Sequence, residues 1–226
     1  VINSTLSICG SRFGKRWLCP GGVNYGISDI QRDALQETLK NVIKQVRYVS
    51  EAMLNDTSVL SRFDGTGVID LSTSIDFGFS GVTAKASGLP VDVRSDFPMF
   101  SYEDFLPCIE CSGDVYARAK VRCNEIYQSI ELVRDLLESN DGNHLYIEPI
   151  GKIMQGQIAI ACVEAWRGRL VHIATTGSNG EIIDYRVYDP SFNNWHALSL
   201  VIQGEGISDF PLCNKSFDLS YCGCDL

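Results

Sequence analysis

Long hydrophobic runs and positive charge are what this sequence of 226 residues has least of. No stretch approaches the roughly 18 uninterrupted apolar residues of a membrane-crossing helix, so no transmembrane segment is expected. The 19 Lys and Arg stand against 28 Asp and Glu, for a formal net charge of −9, and they are dispersed along the chain. That distribution offers no basic stripe to a phosphate backbone, and nucleic acid is not an expected partner. Neither GxGxxG nor GxxxxGK[ST] occurs, which removes a nucleotide cradle from the reading. Histidine is scarce as well: of the three, only His172 and His196 fall in readily assigned structure, and a hydrolase triad is hard to assemble from them. His172, in the middle of LVHIA, reads as a structural histidine in a strand.

There is no internal repeat and no low-complexity linker. The opening VINSTLSICGSRFGKRW has no leader pattern, and a start at Val1 reads as a fragment or a processed chain. What is plentiful is cysteine, nine residues, an odd number that favours reduced thiols in a reducing compartment. Cys9, Cys19, Cys123, Cys162 and Cys213 stand singly among small or apolar neighbours, as buried thiols do. Only Cys108/Cys111, as CIEC, and Cys222/Cys224, as CGC, are paired. The CIEC spacing suits zinc, a cluster or a redox dithiol, but it lacks a second pair at regular spacing.

Periodicity supplies the elements. SDIQ is a capping box, with apolar positions following at Ile30, Ala34, Leu35, Leu39, Val42, Val46, Val49 and Met53, which predicts a long helix over 28–54. Before it, Gly21 and Gly22 in CPGGVNYG allow a turn that other residues resist. From 65 to 105 Gly and Ser recur between pieces such as VIDL and PVDVR, and a small irregular β region is expected. A second long helix is expected over 112–139, with Val115, Ala119, Cys123, Ile126, Ile130, Val133 and Leu137 on one face, stopping at SNDGN. Each apolar stripe is expected to face the other. QIAIACVE, RLVHIATT and EIIDYRVYD predict a three-stranded antiparallel meander over 157–189, turning at GSNG. Ser191 is expected to cap a short helix. The fold class is α+β, mainly a helical bundle.

EAWRGR at 164–169 places a guanidinium, Arg167, at a hairpin tip beside a glycine. That is one way a fold presents a fixed positive charge to a site; a solvated turn residue is the plainer reading.

Taken in order, five phrases resemble one family. It comprises the large subunits of energy-converting nickel-iron hydrogenases and the 49-kilodalton subunit of the respiratory NADH-quinone oxidoreductase. The phrases are RFGKRWLCPGGV, TAKASGLPVDVR (with Lys85 where the family has arginine, and Asp92 and Arg94 kept), GDVYARAKVRCNEI, EAWRG for EAPRG, and DPSFNNWHAL for DPSFxNWPAL. The resemblance runs from about Arg12 to the end, so the chain is read as the C-terminal portion, 1–226, of one large-subunit-like domain.

The resemblance also carries expectations about chemistry. In the hydrogenases two CxxC pairs hold a nickel-iron centre, with the arginine of EAPRG above it. On the late DPCxxC phrase Asp218 matches the aspartate, while Ser220 and Gly223 stand where the two cysteines would be. Both ligand positions are vacated, and the early pair is expected upstream of Val1. The resemblance therefore implies a subunit of a membrane-associated oxidoreductase complex without a metal centre, acting in electron transfer, quinone or proton coupling, with Arg167 and Glu164 as catalytic candidates. No cofactor is expected in the chain, and a quinone is admitted as a ligand. An iron-sulfur small subunit and membrane-arm subunits are the implied partners, at the cytoplasmic face of the cell membrane. Two alternatives stand beside this: an active nickel-iron enzyme in which Cys222 and Cys224 replace the lost pair, and a non-catalytic scaffold. Without an anionic cluster, Arg167 is expected to pair with Glu164 or Asp189, or to turn to solvent.

Overall fold

A computed structural model describes residues 2–97, 105–139 and 153–224. Its elements divide between two compact units, Val1–Glu51 with Ile126–Lys152 and Ala52–Glu125 with Ile153–Leu226.

In the first unit α1 (Ile2–Cys9) leads to a two-stranded hairpin, β1 (Leu18–Cys19) and β2 (Gly22–Val23), closed by Gly21 and Gly22 at positive φ. Helix α2 (Asp29–Leu54) starts on the expected capping box: the Ser28 amide donates to Gln31 Oε1 at 3.0 Å, and the Gln31 amide donates to Ser28 Oγ at 3.3 Å. Helix α7 (Val115–Ser139) belongs to this unit over its second half. There Leu39 of α2 is buried with Ile130 and Leu137 of α7, flanked by Leu35, Val42, Ile43 and Ile126, so the two stripes do meet. They are not continuous, since Ile30 and Val49 of α2 and Val133 of α7 are exposed. The SNDGN turn lies beyond Ser139, outside the described residues.

The second unit contains α3 (Thr57–Phe63), α4 (Leu71–Asp76), α5 (Gly81–Ala86), α6 (Val93–Asp96) and the first half of α7. The chain then forms the antiparallel sheet β3 (Ile158–Ala165), β4 (Gly168–Thr176) and β5 (Ile182–Tyr188), in that spatial order. Helices α8 (Ser191–Val201) and α9 (Phe210–Phe217) and a 3₁₀ turn (Cys222–Cys224) complete it. Ile69, Phe79, Ala84, Val115, Leu198, Val201 and Phe217 are among its buried core. The meander matches expectation, and Gly180 takes the positive φ at its second turn. Pro190 takes the cap position of α8 instead of Ser191, whose amide donates to Asp189 Oδ1 at 2.8 Å.

The α+β class holds, but the irregular β region at 65–105 does not. Where described, the stretch contains the short helices α4, α5 and α6 and no strand; 98–104 lie outside the described residues. The aspartates inside VIDL and PVDVR are helix caps. Asp70 Oδ1 accepts from the Thr73 amide at 2.7 Å, and Asp92 Oδ1 from the Arg94 amide at 3.0 Å, which ends an extended run and starts a helical turn.

Candidate functional site

The β3–β4 hairpin holds Trp166 and Arg167 in its turn, and backbone packing fixes that turn. A Cβ on Gly81, at φ +61, would lie 2.4 Å from the Arg167 carbonyl oxygen, and one on Gly168, at φ +131, would lie 2.5 Å from Ser80 Oγ. Only glycines allow this approach at these angles. Asn194 of α8, buried, ties both sides together: its amide nitrogen donates to the carbonyls of Ser80 and Arg167, each at 3.2 Å, and its Oδ1 accepts from the Ser80 amide. Asn194 was not singled out in the sequence, although it lies within the DPSFNNW phrase.

Arg167 pairs with neither expected carboxylate and is not turned fully to solvent. Its Nε donates to the Asp218 carbonyl, and its Nη2 lies 3.8 Å from Asp218 Oδ2. Trp166 Nε1 donates to the same oxygen at 3.1 Å, and Lys215 Nζ to the other. Burial works against ionisation of Asp218, but hydrogen bonds from Lys215 and Trp166 and the charges of Lys215 and Arg167 outweigh it and hold the carboxyl below the usual range. Asp218 itself takes a left-handed conformation, φ 53, at the end of α9. Arg167 goes to Asp218 because this backbone turn brings both a carbonyl and a carboxylate to the hairpin tip.

Glu164, at the other end of the same phrase, faces a different set of charges. Its Oε1 lies 3.2 Å from Lys85 Nζ, and its Oε2 accepts from the Val93 amide at 3.1 Å. Lys85 Nζ also lies 3.0 Å from Asp92 Oδ2 and 2.5 Å from Glu125 Oε1. Arg94 grips Asp92 through Nε at 2.9 Å and Nη2 at 2.8 Å. The Lys85 side chain is 2% exposed and that of Glu164 6%. Burial alone would depress the Lys85 ammonium; the carboxylates of Glu125, Glu164 and Asp92 reverse this and raise it. The sequence reading noted Lys85 only as a replacement for arginine and passed over Glu125. Three charged residues within TAKASGLPVDVR, among small and apolar neighbours, were the available signal.

At Ser220 and Gly223, the positions expected to be vacated, the space is filled from within the chain. Ser220 Oγ accepts from the Gly223 amide at 3.2 Å, and the Ser220 amide donates to Ser191 Oγ at 3.1 Å. A Cβ on Gly223 would lie 2.4 Å from Asp189 Cγ, so the Asp189 carboxylate that caps α8 occupies the place of a side chain there. Cys222 is exposed, and the side chain of Cys224 lies outside the described residues.

A family model described as the respiratory-chain NADH dehydrogenase 49 Kd subunit matches residues 1–158. The chain belongs to that family. It is 32% identical over 217 residues to the carbon monoxide-induced hydrogenase of Rhodospirillum rubrum, an alignment covering 94% of this chain and 59% of the relative. It is 29% identical over 205 residues to formate hydrogenlyase subunit 5 of Escherichia coli, covering 86% and 36%. A solved chain from the membrane-bound sulfane sulfur reductase, an archaeal respiratory membrane complex, superposes with a TM-score of 0.90 at 22% identity, over 100% of this chain and 63% of that one. The chain thus spans less than two thirds of these relatives' length, and the likeness to the solved structure establishes the fold. Among the described residues no helix is long and apolar enough to cross a membrane.

Within this family the resemblance to the hydrogenases implies a nickel-iron centre, and the late half of its ligand set does not fit here. Ser220 spends its hydroxyl on the neighbouring turn, Gly223 has no side chain, and cysteine at 223 would require Asp189 to leave its cap. Thiolates are the donors such a soft centre needs. Elsewhere Cys108 is half-buried and Cys111 exposed, and burial, with the Glu125 charge, pushes the Cys108 thiol up, away from the reactive thiolate. Of the five single cysteines only Cys213 is fully buried. His172 is half-exposed, its Nδ1 2.7 Å from the Tyr185 hydroxyl.

Beside the Arg167 turn lies an open pocket of about 410 Å³ whose lining includes Val115, Ala119 and Cys123 of α7, Phe63 and Leu212, and the polar side chains of Arg122, Trp166 and Asp218. Ala119 and Cys123, expected in the helix stripe, face this pocket. Arg122 donates to the carbonyls of Ser216 and Phe217, while its buried Nε has no hydrogen-bond partner among the described residues. The pocket abuts Asp218 and does not reach Ser220 or Gly223.

Proposed function

We propose that this chain forms part of the large subunit of an energy-converting oxidoreductase complex, of the kind that works without a nickel-iron centre. Its partners are an iron-sulfur small subunit and membrane-arm subunits, and it sits peripherally at the cytoplasmic face of the cell membrane. Electrons run through the partner's clusters, and this subunit contributes binding and proton coupling. The observation that supports the reading is the packing of Asp189 against Gly223 and the hydrogen bond between Ser220 and Gly223, at the two positions matched to the late thiolate pair. A site intended for two thiolates would keep that volume open.

The apolar pocket beside Trp166, with Arg122 and Asp218 in its lining, matches what a ring compound with a polar head requires: mostly hydrophobic walls and a few convergent polar groups. A quinone is the ligand class assigned to it. The deciding measurement is metal content of the full-length protein purified with its complex, without oxygen and under reducing conditions. Nickel far below one per subunit is expected; stoichiometric nickel with iron overturns the proposal.

A further inference from the structure

The cluster on Lys85 brings three carboxyl groups, Asp92, Glu125 and Glu164, to two cations, Lys85 and Arg94. With all five ionised, one negative charge is left over in a nearly dry site. An uncompensated buried charge costs several kcal/mol, and a carboxyl can remove that cost by taking a proton.

The geometry ranks the three groups. Asp92 is held by both cations, receiving Arg94 on two oxygens and Lys85 on one. Glu125 has the shortest contact with Lys85 and a side chain 17% exposed. Glu164 has the longest contact with Lys85 and has lost almost all contact with water. Among the described residues its second oxygen accepts from the Val93 amide at 3.1 Å. Other groups nearby do not change this ranking. Arg169, its cross-strand partner on β4, is committed to Asp96 at 2.7 Å. Cys108, on the segment before α7, senses the same charges as a thiol pushed toward its neutral form.

We propose that the carboxyl groups gathered on Lys85 form a one-proton store, with the proton carried on Glu164 and exchanged with water on the Glu125 side. The electrostatics agree. Burial pushes the Glu164 carboxyl up; Lys85 pulls the other way, Asp92 adds to the rise, and the net direction is up. A purely structural salt-bridge knot tying α5, α6, α7 and β3 has no need of an unmatched third carboxyl. The store is independent of what the Arg167 turn or the neighbouring pocket binds, so metal analysis tests one proposal and proton titration the other.

The test is infrared spectroscopy of the full-length protein in its complex, following the protonated-carboxyl stretch and its shift in D₂O as pH is varied. In the wild type a buried protonated carboxyl is expected at neutral pH, disappearing reversibly as pH rises. In Glu164→Gln the band is lost at every pH, with circular dichroism unchanged. In Glu125→Gln the surplus charge is gone, so the band returns only on acidification, its midpoint lowered by about one pH unit or more. This second variant decides the matter if Glu164→Gln fails to fold. Absence of a protonated carboxyl in the wild type at neutral pH, its persistence in Glu164→Gln, or an unmoved midpoint in Glu125→Gln overturns the proposal.

Discussion

Lys85 and Arg118 are the two basic residues most deeply buried among the described residues, each 1% exposed as a whole residue, and the same unit solves the cost of burial twice in different ways. Around Lys85 it places charges. Around Arg118 it places neutral acceptors: Nη1 donates to the Gly113 carbonyl at 2.7 Å, Nη2 to the Gly67 carbonyl at 3.0 Å, and Nε to Ser216 Oγ at 2.9 Å, with the guanidinium over the Phe217 ring. A planar fork with five donors can be satisfied by dipoles arranged in its plane. A compact ammonium concentrates its charge and is better matched by anions, and anions bring titration with them. The direct hydrogen-bond partners of Arg118 therefore carry no charge to titrate, while the Lys85 site can change its charge by one proton.

The largest expected effect comes from breaking the charged solution. Lys85→Met leaves three carboxyl groups without their shared cation, and removing one member of a buried ion set costs about 3–5 kcal/mol. Chemical unfolding at neutral pH should register that loss, and it should shrink under acid conditions, where the orphaned carboxylates protonate. A loss below about 1 kcal/mol at neutral pH would remove the cluster from the structural account. Arg118→Leu should cost somewhat less, about 1–3 kcal/mol, because the Gly67 carbonyl loses its donor while the Gly113 carbonyl keeps the Ile69 amide and the Ser216 hydroxyl keeps the Cys213 carbonyl. Because its hydrogen-bond partners do not titrate, that loss should be nearly the same across mildly acidic to neutral pH. The contrast in pH dependence between the two variants sharpens the comparison more than either magnitude.

Smaller again is the wild-type pH profile, where two displaced carboxyl groups of the Lys85 cluster pull in opposite directions. Glu164, raised in the folded protein, contributes stability that is fully present below its unfolded value of about 4.3 and is lost as pH rises through the folded value. Asp92 is lowered: burial opposes its ionisation, and Arg94 and Lys85 overcome that. Its contribution is present above the unfolded value and is lost as pH falls through the depressed folded one. Unfolding free energy measured against pH should therefore decline on the alkaline side of about pH 4.3, and Glu164→Gln should flatten that limb. An unchanged slope in the variant would show that other groups produce it.

Local signals in the sequence were reliable where one residue decides the outcome. The Ser28–Gln31 box, the Gly21–Gly22 turn and the strand segments of 157–189 with their turns each fix short-range geometry, and each appears as expected. The 65–105 stretch failed because an aspartate in a β-like run can equally cap a helix, and the choice depends on what packs around it. Charged partners were least legible. Lys85 and Glu164 are 79 positions apart, and Arg167 meets Asp218 across 51, so no spacing rule joins them. The EAWRG phrase marked Arg167 and Glu164, and the match to the late DPCxxC phrase marked Ser220 and Gly223, as worth attention. Sequence alone could not divide Arg167 and Glu164 between two separate sets of charges.

The smallest expected effect, and the sharpest test of that division, concerns Arg167. Its side chain is 32% exposed, and the Asp218 carboxylate at 3.8 Å also has Lys215 and Trp166 as partners. A solvent-reached pair with redundant partners contributes about 0–1 kcal/mol, so Arg167→Ala should lower stability by no more than about 1 kcal/mol. Asp218 loses one of the charges that hold its carboxyl down, and its pKa, followed by NMR, should rise while remaining below the ordinary aspartate range because Lys215 stays. Glu164 and Lys85 should be untouched, since Arg167 takes no part in their ion pairs: the infrared band assigned to Glu164 should keep its midpoint in Arg167→Ala. A shifted midpoint would mean that the two ends of EAWRG titrate as one network, and the separation between the hairpin tip and the Lys85 store would fail with it.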